Sequence, residues 1–561
     1  MILSALALCY GLGGYALMDP DEGRNAVIAQ ATAEGGSWLV PHFNGLPFLD
    51  KPFLYFATTA ASMRVFGTSE WAVRLPSLLS TWATLALVVW FSRRLFGSDS
   101  GWLAGTAFAT GLLTASYARA LIFDSMLTFF ATLSLVAFYL AIEDARCDKQ
   151  RFWNLVAWGA IAGGTFTKGP VALLIPLLVA VPFAVWRRKI GRVFRPLGLL
   201  LFVALVAPWV VFTERAVPGF LHYALVTETW ERLTTEKMQR TGPPWYFLPI
   251  MVGGAFPWSI LVLSVGWSRF RQAMKSMARP SLVFLGLWIL LPLIFFSLSQ
   301  SKRIGYVLPL MPALSLLAAW AWTAAQSKQR SARLAAGGWL LLCVVFLWAG
   351  RSFVPKEPFA HLASSIPSTA TVLGLVMLVT AVAGWLLADR RLLAPMVLSL
   401  PLVALPFIWA SLLAEVSEIR SGKAMAVTAA PMLTASTVVF GVETYSPSFA
   451  FYLGRPLALC TANGSPLRSN YAIHLYPQIV GNQNPTLRPA EAWREALEAC
   501  SQPYLFLLKT QYEDQRAVLS AAGVPVVYSD TKYTLMGPCQ APTRSAPDLD
   551  GAAALEPDAS I

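Results

Sequence analysis

The chain has 561 residues, is 56% hydrophobic and only 13% charged, and carries a formal charge of +13. A soluble domain has about a quarter of its residues charged, so this balance excludes one and indicates many membrane spans. The positive charge does not mark a nucleic-acid face, because Lys and Arg fall in short clusters between apolar runs, the pattern of membrane orientation.

Apolar runs of roughly 17–25 residues can cross a bilayer. In chain order they fall near 1–17, 72–91, 101–118, 125–143, 153–167, 170–186, 196–213, 245–266, 281–298, 307–324, 336–350, 368–388 and 392–414, which predicts about thirteen transmembrane helices. The first lacks a basic leading region and a small-residue cleavage site, and reads as a retained helix. With thirteen crossings, the basic clusters at Arg93-Arg94, Arg187 to Arg195, Arg269 to Arg279, Lys328 to Arg333 and Arg390-Arg391 all share one side. Basic loops stay in the cytoplasm, so the N-terminus is expected inside and everything beyond about residue 415 outside.

The outward segments hold a different set of residues: Asp19, Asp21, Glu22, Asp50, Lys51, Asp124, Lys168, Glu228, Glu231 and "SQSKRIGY", Ser299 to Tyr306. Ionisable groups at helix ends are costly unless they face water, a partner or a substrate. The first outer loop, 18–70, opens with "MDPDEGRNAV", where Asp21 and Glu22 suit a helix N-terminus. The sequence that follows predicts an amphipathic helix lying along the membrane and ending at Gly35-Gly36. After 415, short apolar runs at 436–442, 456–460, 503–508 and 524–529 alternate with helical patterns around 490–499 and 512–522. The domains are therefore expected as a membrane domain at 1–414, a small α/β extracytoplasmic domain at 415–540 and a disordered, Ala/Pro/Asp-rich tail at 541–561. The six Cys show no C-x-x-C spacing, and one pair among Cys460, Cys500 and Cys539 is a candidate disulfide in an oxidising compartment.

An acidic pair after the first helix, then Arg24, then Trp38, Val40, Pro41, Asn44, Gly45, Lys51 and Pro52 in register, resembles the aminoarabinose transferase and protein O-mannosyltransferase superfamily. Further matching stretches are "WAVRLPS" (71–77), "ARALIFDSMLTFF" (118–130), "TKGPVALLIP" (167–176), "GAFPW" (254–258), "FFSLSQSKRIGYVLPLMPAL" (295–314) and "SFAFYLGRP" (448–456). The resemblance implies an all-α polytopic fold of the GT-C type. It also implies transfer of a sugar from a polyprenyl-phosphate carrier to an acceptor outside the cytoplasm, from a bacterial inner membrane. By the same resemblance Asp21 is the central carboxylate with Glu22 in reserve, Asp50 and Lys51 lie near the donor phosphate, and Asp124 and Lys168 line the same cavity. Physics asks for cations at the bilayer surface to hold that phosphate, and Arg24, Lys51, Arg119, Lys168, Lys302 and Arg303 are the candidates. A hydroxyl acceptor also needs a base, for which Asp21 is the choice.

Plainer roles compete. Lys302 and Arg303 suit lipid-headgroup anchors, and Arg119 has Asp124 five positions on as a partner. No cofactor is required by these residues, and a divalent metal stays open with Asp50 and His222 as candidate ligands. The four His show no ligand spacing, and Gln239-Arg240 stands where some members of the superfamily carry a His pair. The expected partners are the membrane, a polyprenyl-phosphate-linked sugar (possible sugars include 4-amino-4-deoxy-L-arabinose) and an acceptor such as lipid A or another envelope glycan, ahead of a protein, with no nucleic acid. The alternatives are a protein O-glycosyltransferase of the same fold and a polytopic transporter or flippase. A transporter favours repeated halves and midplane sites, whereas here no repeat is visible and the candidate residues gather at one face.

Overall fold

The computed structural model describes residues 1–231, 242–276, 279–325, 327–480 and 485–539. Among them, seven helices are long and apolar enough to cross a membrane, and the bent pair Leu393–Ile408 and Ala410–Arg420, which turns by 46°, adds an eighth. The protein is a multi-pass membrane protein.

Several expected spans are interrupted. The run at 101–118 forms two helices, Gly101–Ala109 and Leu112–Ala118, parted at Thr110-Gly111. The run at 245–266 breaks into Phe247–Gly254 and Trp258–Leu263 around Pro257, as expected where Pro removes a backbone donor. The first run keeps only a six-residue helix, Ile2–Ala7, before a Gly-rich series of turns. The fifth and sixth runs become Cys147–Lys168, whose first turns are polar, and the 16-residue Val171–Trp186.

The chain after residue 415 forms a six-stranded sheet: β3 Val438–Val442, β4 Ala458–Cys460, β5 Leu487–Arg488, β6 Tyr504–Lys509, β7 Val526–Ser529 and β8 Tyr533–Cys539. Their order is β5-β4-β3-β6-β8-β7. The first four run parallel and β8 and β7 are antiparallel additions at one edge. Alternation along the strands gives two apolar faces. Phe440, Val442, Phe506, Leu508 and Met536 pack with Trp493 and Leu519, from the helices Ala492–Ala499 and Glu513–Ala521. Val439, Leu459, Leu505, Leu507 and Leu535 share a core with Ala26, Ile28, Phe43 and Tyr55 of the first outer loop. Cys500 and Cys539 form a disulfide, and Cys460 is buried and free.

The first-loop helix, Asp21–Ala33, corrects an expectation. It has no wet face: Glu22, Gly23, Asn25 to Gln30 and Thr32 are all buried. It is packed between the helices Leu54–Phe66 and Pro447–Leu453. Its polar residues are satisfied by protein, as Asn25 shows by donating to the Leu121 carbonyl at 2.8 Å. The loop's Asn44-Gly45 is a hairpin turn between β1 His42–Phe43 and β2 Leu46–Pro47, with φ of 52° and 78°. Positive φ at both positions is what Asn-Gly supplies in a two-residue hairpin.

Candidate active site

Asp21 and Glu22 are adjacent and do different things. As helix neighbours they point to different sides. The Glu22 carboxylate accepts from Arg74 Nε at 2.9 Å and Nη2 at 2.8 Å, a bidentate pair in which the Arg74 side chain is 0% exposed. Leu121 N and Met18 N donate to the same carboxylate at 3.0 and 3.1 Å. Arg74 also donates to the carbonyls of Leu12, Tyr15 and Ala16, and its guanidinium lies 3.7 Å from the Tyr15 ring centre. Every acceptor site of Glu22 faces protein, so it ties the first segment to the helix Glu70–Phe96. Asp21 is 41% exposed and lies 2.6 Å from Arg24 Nη2. Arg24 reaches the Arg468 carbonyl at 3.3 Å.

Two ion pairs stand at the mouth of one groove. Lys168, the last residue of Cys147–Lys168, lies 2.6 Å from Asp124, the first residue of Asp124–Glu143. Lys51 lies 2.5 Å from Glu228. Asp124 therefore takes Lys168 rather than Arg119. Arg119 is buried against the first segment, where its backbone carbonyl accepts from Tyr15 at 2.7 Å. Below the lysines runs an apolar cavity of about 690 Å³ between the helices Cys147–Lys168, Val171–Trp186, Pro196–Ala216 and Arg279–Leu298. Leu174, Leu178, Phe202, Val206, Trp209 and Phe295 line it, and Asp50, Lys51, Lys168, Glu228 and Tyr306 stand among its polar edge residues.

Asp50 is engaged by three groups. It accepts from the Tyr223 hydroxyl at 2.5 Å, from Tyr471 N at 2.9 Å and from Asn470 N at 3.0 Å. The last two belong to the start of the helix Asn470–Val480, where a carboxylate satisfies otherwise open donors. Asn470 also donates to Glu228 at 3.1 Å. Burial raises the Asp50 carboxyl above its ordinary value, and neighbouring Glu228 adds to that. Asp19 sits alike, accepting from Ser446 Oγ at 2.7 Å and Ser448 N at 2.8 Å. Burial raises its carboxyl as well.

The remaining candidates separate. Lys302 Nζ donates to the carbonyls of Ser297 and Ser299 at 3.0 and 2.6 Å, capping the helix Arg279–Leu298. Arg303 is half-buried and, among the described residues, has no ion pair. His222 is exposed, and among the described residues no three His, Cys, Asp or Glu side chains come together as a metal site. Gln239-Arg240 lies outside the described residues. Two residues went unmarked as site residues. Arg74 stands in the quoted "WAVRLPS" without a sign of its partner, and Gly305 in "SKRIGY" has a positional reason. A Cβ on Gly305 would lie 2.6 Å from Asp124 Oδ1 and 2.8 Å from the Tyr117 hydroxyl, so the close approach of that backbone to the carboxylate needs glycine.

Known proteins resemble this chain in sequence and in fold. Residues 50–212 match the family described as dolichyl-phosphate-mannose-protein mannosyltransferase. The chain is 30% identical over 407 residues to an undecaprenyl phosphate-alpha-4-amino-4-deoxy-L-arabinose arabinosyl transferase of Aeromonas salmonicida, covering 69% of this chain and 72% of that one. It is 32% identical over 352 residues to the protein of the same name from Yersinia enterocolitica, covering 62% of each. The crystal structure of ArnT from Cupriavidus metallidurans bound to undecaprenyl phosphate superposes with a TM-score of 0.84 at 25% identity, over 95% of this chain and 96% of that one. The chain belongs to the undecaprenyl phosphate-alpha-4-amino-4-deoxy-L-arabinose arabinosyl transferase family, and it is a membrane glycosyltransferase.

Proposed function

We propose that the protein moves a monosaccharide of the aminoarabinose type from undecaprenyl phosphate to a lipid or glycan acceptor, lipid A being the leading one, at the outer face of a bacterial inner membrane. The observation that carries this reading is the apolar groove headed by Lys51 and Lys168. An isoprenoid chain needs a dry channel open to the bilayer, and its phosphate needs cations where that channel meets water. The names of the relatives support the sugar and the carrier.

In the reaction the bond between the sugar C1 and the donor phosphate oxygen breaks and a bond from C1 to the acceptor oxygen forms. The donor phosphate, a singly charged diester, departs as a monoester carrying one more negative charge. Lys51 and Lys168 offset that charge, each exchanging part of its present carboxylate contact for the phosphate. Asp21, the accessible carboxylate beside Arg24, takes the proton of a hydroxyl acceptor. With an already ionised phosphate acceptor, Asp21 orients the nucleophile instead, and Arg24 binds it. Asp124 holds Lys168 in place. Glu22 and Asp50, assigned from sequence to catalysis and donor binding, become positioning residues, and Lys302 a helix cap.

The topology belongs to the same proposal: thirteen crossings, counting the interrupted helices, with the N-terminus in the cytoplasm and the 415–540 domain outside. A disulfide between Cys500 and Cys539 supports an oxidising compartment for that domain. The test is transfer from a radiolabelled undecaprenyl-phosphate sugar to lipid A by the purified protein. The parent is expected to transfer label and Asp21→Asn to lose at least 100-fold in rate, the scale of a lost general base. Full activity in Asp21→Asn, or gradient-driven solute movement with no transfer, contradicts the reading.

A further inference from the structure

The mechanism leaves the hydroxyl of Tyr117 without a task. This residue lies in the last turn of the helix Leu112–Ala118, and its backbone carbonyl accepts from Ser125 at 2.9 Å. Its hydroxyl makes no hydrogen bond to protein among the described residues, and the side chain is only partly buried. Three other phenols are engaged, whereas the Tyr246 hydroxyl also makes no hydrogen bond among the described residues. Tyr55 shares a hydrogen bond with Ser77 at 2.7 Å, Tyr15 donates to Arg119, and Tyr223 donates to Asp50. The Tyr117 oxygen lies against Gly305, beside the Asp124 carboxylate that holds Lys168. It therefore stands beside the carboxylate–lysine pair on the donor side.

We propose that Tyr117 is a catalytic residue of the sugar transfer, its hydroxyl donating a hydrogen bond to the phosphate oxygen that leaves the sugar. This rests on the donor reading above. A phenol remains neutral at physiological pH and contributes a single donor. Placed at that oxygen, it counts for more as negative charge accumulates there than in the bound donor, because only interactions stronger in the transition state raise the rate. Arg303, two positions before Gly305 and without an ion pair among the described residues, adds positive charge to the same loop. The close backbone of Gly305 leaves room for the hydroxyl that a larger residue would occupy.

The experiment is steady-state transfer by the full-length protein carrying Tyr117→Phe, which keeps the ring and removes one oxygen. The expected result is a 10- to 100-fold fall in kcat, the worth of a hydrogen bond to a charged group, with the donor KM within threefold of the parent and an unchanged melting temperature. Tyr55→Phe is the comparison, since its hydroxyl is committed to Ser77. That variant is expected to melt earlier and to keep its kcat. Parent-like kcat in Tyr117→Phe overturns the proposal, and so does a loss that follows a lowered melting temperature. An inactive parent would count against the transferase reading itself, which separates the two failures.

Discussion

At the scale of single residues, charge in this protein is sorted by what surrounds it. Arg74 is fully buried with Glu22 and three backbone carbonyls as acceptors, so Arg74→Ala leaves the buried Glu22 carboxylate without its counter-charge. Breaking such a pair costs roughly 3–5 kcal/mol, and the variant is expected to show a sharply lower melting temperature in detergent or a failure to accumulate. Asp19 titrates. Burial raises its carboxyl, and an acid raised on folding favours the folded state in its protonated form. That contribution is whole below about pH 4, the ordinary carboxylate value, and is lost as the pH rises through the raised value. Asp19→Asn has no such dependence. The melting-temperature advantage of the parent over Asp19→Asn is therefore expected to shrink as the pH rises above about 4, and an advantage that grows would contradict the assignment.

At the scale of elements, the hairpin at Asn44-Gly45 shows how the first outer loop is held. Asn44 donates to the Leu457 and Thr486 carbonyls at 2.9 and 3.3 Å and accepts from Leu457 N at 3.0 Å, clasping the ends of β4 and β5. Asn44→Ala removes these bonds at a position with φ of 52°. It is expected to cost about 2–4 kcal/mol, since each buried group left unpaired costs about 1–3 kcal/mol, and protease resistance of the 415–540 region should fall with it. The strands β3, β4, β6 and β7 were legible in the sequence as short apolar runs bounded by turn residues, whereas Asn44-Gly45 stood there only as part of a longer motif. The two-residue β5 was not legible, because its pairing comes from β4 rather than from its own pattern. Nor was the burial of Asp21–Ala33, whose alternating polar and apolar residues look amphipathic until the partner from residues 447–453 is in place. Lys302 and Arg303 are neighbours in sequence, and only the carbonyls left open at Ser297 and Ser299 make Lys302 the cap.

At the scale of the whole molecule, several candidate residues were legible as ionisable groups at helix ends, and their pairing was not. Asp50, Lys51, Asp124 and Lys168 do come to one mouth, whereas Glu22 finds Arg74 52 positions away and Arg119 points to the first segment. Such partners are chosen by helix packing over long separations, which local pattern does not record. Topology has its own check. Cys147 is exposed at the start of Cys147–Lys168, on the expected cytoplasmic side. In a Cys9→Ser background in intact cells, it should be labelled by a membrane-permeant maleimide and not by a charged one. Cys500 and Cys539 should become reactive to the charged reagent only after reduction. Labelling of Cys147 by the charged reagent would invert the arrangement.

The central claim is that Lys51 and Lys168 hold a polyprenyl phosphate by its charge while the groove takes its chain. Titration of radiolabelled undecaprenyl phosphate into the purified protein and into Lys51→Met, Lys168→Met measures this directly. The parent should bind saturably and the double variant at least 100-fold more weakly, each charged contact being worth about 1.5–3 kcal/mol. Equal affinity in the two proteins would contradict the account.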